Sequence, residues 1–101
     1  MKNIVLVGCG GIGSRHLQGL SQIKREVNIS VVDPSNESIK IAQSRYNEMP
    51  KNQFIKSINF YESLEKINFD IDLAIIATNS DERKGIIIEL FSRANVKYLI
   101  L

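Results

Sequence analysis

Six consecutive residues, Gly8-Cys9-Gly10-Gly11-Ile12-Gly13, have the make-up of a turn that offers backbone amides, not side chains, to a ligand. Gly8 permits a sharp turn, Gly10 lets backbone approach a ligand with no Cβ in the way, and Gly13 lets a following helix pack closely. Bare amides at a helix start, helped by the positive end of its dipole, hold anions such as a pyrophosphate. Asp33 stands 20 residues beyond Gly13. A carboxylate there can accept hydrogen bonds from both hydroxyls of an adenosine ribose, and it repels a 2′-phosphate, which favours NAD over NADP.

Glycines and an acid carry meaning only where secondary structure sets them in register. Ile4 to Val7 is a continuous aliphatic run of the kind buried on both faces of a parallel sheet, and it leads straight into the glycines. Asn28 to Val32 reads as a second buried strand with Asp33 at its carboxyl end. Strand, glycine turn, helix start and acid are thus in the order of a dinucleotide-binding fingerprint. The competing reading is a glycine-rich turn in an α/β domain that binds nothing.

The remaining elements follow from periodicity. Ile12, Leu17, Leu20 and Ile23 predict a helix from about Gly11 to Ile23 with one core-facing stripe. Ser35-Asn36-Glu37 predicts the start of a second helix carrying Ile39, Ala42 and Tyr46, which ends before Met49-Pro50. Phe54, Ile58 and Phe60 suggest a short edge strand around Asn59 to Tyr61, and Ser63 caps a single turn from Leu64 to Ile67. Asp72 to Ala77 is another buried strand, followed by a loop, Thr78 to Glu82, with a cap and acids suited to a helix start. Ile87, Leu90, Phe91 and Ala94 mark the buried face of that helix, Asn95 closes it in a left-handed conformation, and Val96 to Leu101 is the last strand.

Alternating strands and helices predict an α/β fold: a Rossmann-type doubly wound parallel sheet of order 3-2-1-4-5, with right-handed crossovers and no strand after the fifth. Ligand belongs outside the carboxyl ends of strands one and four, where the order reverses. Gly8 to Gly13 then lie opposite Thr78 to Ser80.

The 101 residues suffice for one domain, which buries about two-thirds of the surface of its unfolded chain. Thirteen basic against eleven acidic residues give a net charge of +2, and the cations are scattered, so no nucleic-acid footprint is read. A single cysteine, Cys9, excludes an internal disulfide. With no secretory leader read and no apolar run near the roughly 20 residues of a membrane span, a soluble cytoplasmic protein is expected. No cluster of His, Cys and carboxylates has metal-ligand spacing.

Three segments together resemble the amino-terminal domain of the glucose-fructose oxidoreductase and inositol dehydrogenase family: Val7 to His16 (VGCGGIGSRH), Val31-Val32-Asp33-Pro34, and Asp72 to Thr78 (DLAIIAT). The resemblance covers essentially the whole chain. It implies an NAD(P)-dependent oxidoreductase that moves hydride between nicotinamide and a hydroxyl-bearing carbon of a sugar, cyclitol or nucleotide sugar. On it, Gly8 to Gly13 hold the pyrophosphate, Asp33 the adenosine ribose, and Thr78 with Asn79 the nicotinamide side, with Pro34, Ala77 and Ser80 also among the cofactor-binding residues. The family's catalytic lysine lies in a Glu-Lys-Pro motif just after the fifth strand, and its substrate residues lie in a second domain. Both would fall beyond Leu101, so residues 1–101 alone are not expected to be catalytic. Docking of a second copy on the face that the second domain normally covers is a further expectation. The chain departs from the family pattern at Asn79, where proline is frequent, and at Arg83, where histidine is.

Individual residues have plainer readings as well. His16, on the first turns of the helix beside the glycine turn, is read as a packing or hydrogen-bonding residue rather than a catalytic one. Cys9 is read as a small filler, although a helix amino terminus can lower a thiol pKa. Arg15 is read as solvated. Two other functions fit parts of the pattern: a nucleotide-sensing module with no hydride chemistry, and a methyltransferase fold. The second lacks its usual acid before the first glycine, where Leu6-Val7 stand.

Overall fold

The computed structural model describes residues 1–101. Five parallel strands form one sheet: β1 Lys2–Val7, β2 Val27–Val32, β3 Ile55–Tyr61, β4 Ile71–Ile76 and β5 Val96–Ile100. Helices α1 Gly11–Leu20, α2 Asn36–Glu48 and α3 Ser80–Arg93 join them, with a short 3₁₀ turn at Leu64–Lys66 between β3 and β4. The order is β3-β2-β1-β4-β5. This is the expected doubly wound arrangement, and no helix is long and apolar enough to cross a membrane.

Successive side chains of a strand point to opposite faces, so the aliphatic runs fill two cores at once. Ile4 and Leu6 of β1 join Ile29, Val31 and Ile75 under Leu17 of α1 and Ile39 and Ala42 of α2. Val5 and Val7 join Val32, Ala74 and Ile76 under Leu90 of α3, with Leu64 and Ile67 closing that side. Val5, Leu6, Ile29 and Val31 are fully buried, which is why β1 and β2 read as unbroken apolar runs.

The helix starts follow local chemistry. Ser35 caps α2, its Oγ accepting the Ser38 N–H at 3.2 Å, and Ser63 caps the 3₁₀ turn by accepting from Glu65 at 3.3 Å. Asn79 caps α3 by accepting the Glu82 N–H at 3.1 Å.

Several expectations are corrected. Strand β3 begins at Ile55, four residues before the expected start, because a bulge breaks its alternation: β2 advances from Val27 to Asn28 while β3 advances from Ile55 to Ser57. Ile55, Ile58 and Phe60 all pack on the α1–α2 core despite their uneven spacing. Helix α1 ends at Leu20, and Ser21 to Ile23 form a turn whose carbonyls meet Asn52: its Nδ2 donates to Ser21 O at 2.9 Å and Ile23 O at 2.7 Å. Ile12 is 70% exposed, since the buried stripe of α1 runs through Gly13, Ser14 and Leu17. Phe91 is likewise 52% exposed, with Leu90 as the buried residue of α3. Asn95 is not left-handed: Gly8 has the one positive φ in the chain, and α3 closes through extended Ala94. Instead the Asn95 carbonyl accepts the Ile71 N–H at 2.8 Å, starting the pairing of β4 with β5.

Candidate dinucleotide site

The glycine turn leaves the carboxyl end of β1, the central strand, between β2 and β4. Its first bond is made by Gly8, whose N–H donates to Val32 O at 2.7 Å; on the other side the Ala77 N–H donates to Val7 O at 2.8 Å. The end of β1 is thereby tied to the strands on both sides, and the turn emerges at the point where the strand order reverses.

Each glycine is required for a different reason. Gly8 has φ +93°, and a Cβ there would lie 2.9 Å from Ala77 O. A Cβ on Gly13 would lie 1.9 Å from Gly8 O, so only glycine lets α1 sit on the turn it follows. Gly10 and Gly11 differ, being exposed with nothing within 4 Å of an added Cβ. Their missing side chains leave the outer side of the turn open to a ligand.

The start of α1 completes this open side. Gly10 occupies the cap position without a side-chain bond, and the first turn carries no acid. Gly11, Ile12 and Gly13 donate their N–H groups to no acceptor in the chain, and the first bond of the helix runs from Ser14 N–H to Gly10 O at 2.7 Å. Beneath them Ser14, 3% exposed, donates from Oγ to Gly11 O at 3.1 Å and accepts from the Arg45 guanidinium of α2 at 2.9 Å. Nothing in the sequence spacing pointed to that link between α2 and the turn.

Asp33 follows β2 at the same edge, half-buried. Its Oδ2 accepts the Cys9 N–H at 2.9 Å and its Oδ1 accepts the Ser35 N–H at 2.8 Å. Each carboxylate oxygen has a lone pair left for a further donor. Cys9 itself is 2% exposed, and burial together with the Asp33 charge pushes its thiol up to about 12. The helix amino terminus therefore does not activate it, and its side chain fills the α1–α2 core.

The other expected residues share this edge. Pro34 is exposed beside Asp33; Ala77 and Thr78 are half-buried, with Ala77 O and Thr78 Cγ2 against Gly8; Asn79 and Ser80 are exposed at the start of α3. The Asn79 side-chain oxygen is already engaged as the cap of α3. His16 neither packs nor hydrogen-bonds as expected: it is exposed with no hydrogen-bond partner, and Arg15 is exposed as well. A cleft of about 300 Å³ opens at this edge between Val7, Val32, Pro34 and Thr78, with Glu62, Glu82 and Glu89 among its walls. The largest concavity, about 660 Å³, lies at the opposite edge, where residues 21–24 meet residues 49–54. It contains none of the site residues.

The donor set matches a dinucleotide. Free amides at an uncapped helix start suit a diphosphate, open space over Gly10 suits its close approach, and an acceptor-only carboxylate suits a diol.

Comparison with known proteins bears on the family and the fold. A family model described as an oxidoreductase family with an NAD-binding Rossmann fold matches residues 2–100. Among solved structures, a diketoreductase that acts on dicarbonyl compounds is similar over 99% of this chain and 40% of its own, with a TM-score of 0.67 and 18% identity. The chain thus spans well under half the length of that protein, and at this identity the likeness concerns the fold. No curated protein sequence matches the chain.

Proposed function

Because this chain belongs to the oxidoreductase family with the NAD-binding Rossmann fold, we propose that residues 1–101 hold NAD in preference to NADP for hydride transfer by an oxidoreductase. One observation carries the reading: at the strand-order reversal the amides of Gly11, Ile12 and Gly13 have no acceptor in the chain, the turn is open over Gly10 and Gly11, and the Asp33 carboxylate stands beside it. In this reading those amides hold the diphosphate and Asp33 accepts from the ribose hydroxyls. Thr78 and Asn79 border the nicotinamide. When bound, the cofactor supplies the hydride acceptor or donor.

The preference for NAD is a matter of charge. A 2′-phosphate would stand against Asp33 and near the cleft walled by Glu62, Glu82 and Glu89, with no arginine among those walls to pair with it. The substrate class the resemblance suggests is a hydroxyl-bearing carbon of a sugar, cyclitol or nucleotide sugar. Its reaction also needs a group that moves the hydroxyl proton, and that role falls in this reading to residues outside 1–101. Cys9, buried and held protonated, is unsuited to it.

The sensing alternative has no observation in its favour, since the family is one of oxidoreductases. Calorimetry with NAD and NADP tests the proposal: NAD binds, weakly for a one-sided site, and more tightly than NADP. Equal affinity for the two would overturn the role given to Asp33. Replacing Gly10 with Val abolishes NAD binding while leaving the fold, and retained affinity would refute the close approach of backbone to diphosphate.

A further inference from the structure

The two contacts of Asp33 with backbone have nothing to do with a ligand. Its Oδ2 takes the N–H of Cys9 in the glycine turn, and its Oδ1 takes the N–H of Ser35 at the cap of α2. One carboxylate following β2 therefore tethers the turn after β1 to the start of the second helix. Cys9 is flanked by Gly8 and Gly10, the residue type with the widest backbone freedom, so this is where the turn most needs a tether. The buried Cys9 side chain anchors the same residue from the core side.

We infer that Asp33 is a positioning residue for the diphosphate as well as a ligand for the ribose: it orders the glycine turn so that the amides opening α1 converge before any ligand arrives. The inference rests on the reading that this turn holds a diphosphate. Preorganised donors hold an anion more tightly than donors that must be ordered on binding. The direct electrostatic effect runs the other way, because a carboxylate beside a diphosphate repels it. For a diphosphate ligand without ribose hydroxyls the two effects have opposite signs, and that separates the roles.

Asn at position 33 cannot replace the tether, since its amide NH₂ would face one of the two N–H donors. Glu keeps the charge but carries both oxygens one methylene further out. The test is a titration of isotope-labelled residues 1–101 with ADP and with 2′,3′-dideoxy-ADP, followed at the amides of Gly10 to Gly13, for the wild type, Asp33→Asn and Asp33→Glu. Both variants are expected to bind dideoxy-ADP about tenfold more weakly than the wild type. In the absence of ligand their Cys9 amide exchanges faster, while Val5 and Leu6 stay protected.

Dideoxy-ADP binding to either folded variant at wild-type affinity or tighter would overturn the positioning role and leave the cofactor reading standing. If neither ligand moves the wild-type Gly10 to Gly13 amides, the cofactor reading falls and this inference with it. Where the Asn variant fails to fold, the Glu variant and the wild-type exchange carry the test, and a Cys9 amide exchanging as fast as that of Gly10 would refute the tether.

Discussion

Helices α1 and α3 both start at the carboxyl edge of the sheet, α1 after β1 and α3 after β4, and their amino ends are built in opposite ways. At α3, Asn79 caps the first turn through its side chain, and Asp81 and Glu82 place negative charge against the positive end of the dipole. At α1 the cap is Gly10, without a side-chain bond, and no acid is present. The chain satisfies one helix end by itself and leaves the other unfinished. The unfinished end is the one at the strand-order reversal, packed so closely on its own turn that only glycine fits at position 13. What α3 receives from its own side chains, α1 receives, in the function proposed, from a ligand.

Substitutions can break this contrast, and the largest effect belongs to the packing beneath it. Gly13→Ala puts a Cβ into Gly8 O, backbone that cannot swing away, and is expected to cost about 3 kcal/mol or more, read as a lowered denaturant midpoint. Gly8→Ala, forced to φ +93° against Ala77 O, is expected to cost about 2 kcal/mol in the same measurement. Gly10→Asp would make the start of α1 resemble that of α3. With open space for its Cβ, it is expected to raise stability by about 0.5 to 1 kcal/mol while abolishing nucleotide binding in calorimetry. Lost stability together with retained binding would show that α1 does not need its empty cap.

Asn79→Ala is the converse experiment. It removes the cap of α3 and is expected to cost about 1 kcal/mol of stability. The smallest expected effect lies at the far edge of the sheet. There the Asn3 N–H donates to Asp72 at 2.8 Å and, with burial opposing and Lys2 and Lys97 assisting, holds its carboxyl below the usual range. A lowered folded pKa contributes stability that is present above the unfolded value of about 4 and is lost as pH falls through the folded one. Asp72→Asn should therefore flatten the acid limb of a stability–pH curve, and an unchanged limb would contradict the assignment.

Strands β1, β2 and β4 were legible in the sequence because both faces of each are buried, which writes a continuous aliphatic run. Strand β3 was legible only at its end, because the bulge after Ile55 shifts the parity on which alternation depends. Ile12 and Phe91 are apolar at helical spacing yet face solvent, because α1 packs through Gly13 and Ser14, residues too small to register as an apolar stripe, and α3 buries Leu90 in place of Phe91. That the candidate residues gather at one edge of the sheet was legible, since glycine and aspartate spacing reflects backbone need. The links that support them were not. Asp33 to Cys9, Arg45 to Ser14 and Asn52 to the end of α1 join residues 24 to 31 positions apart through ordinary polar side chains, and no local pattern announces them.

The contrast between the two helix starts is tested most directly by following every backbone amide of residues 1–101 during a titration with NAD. The account predicts the largest shifts at Gly10, Gly11, Ile12 and Gly13, with the capped amides of Ser80 to Arg83 moving far less. Shifts centred on the start of α3, or a glycine turn that does not respond, would contradict it.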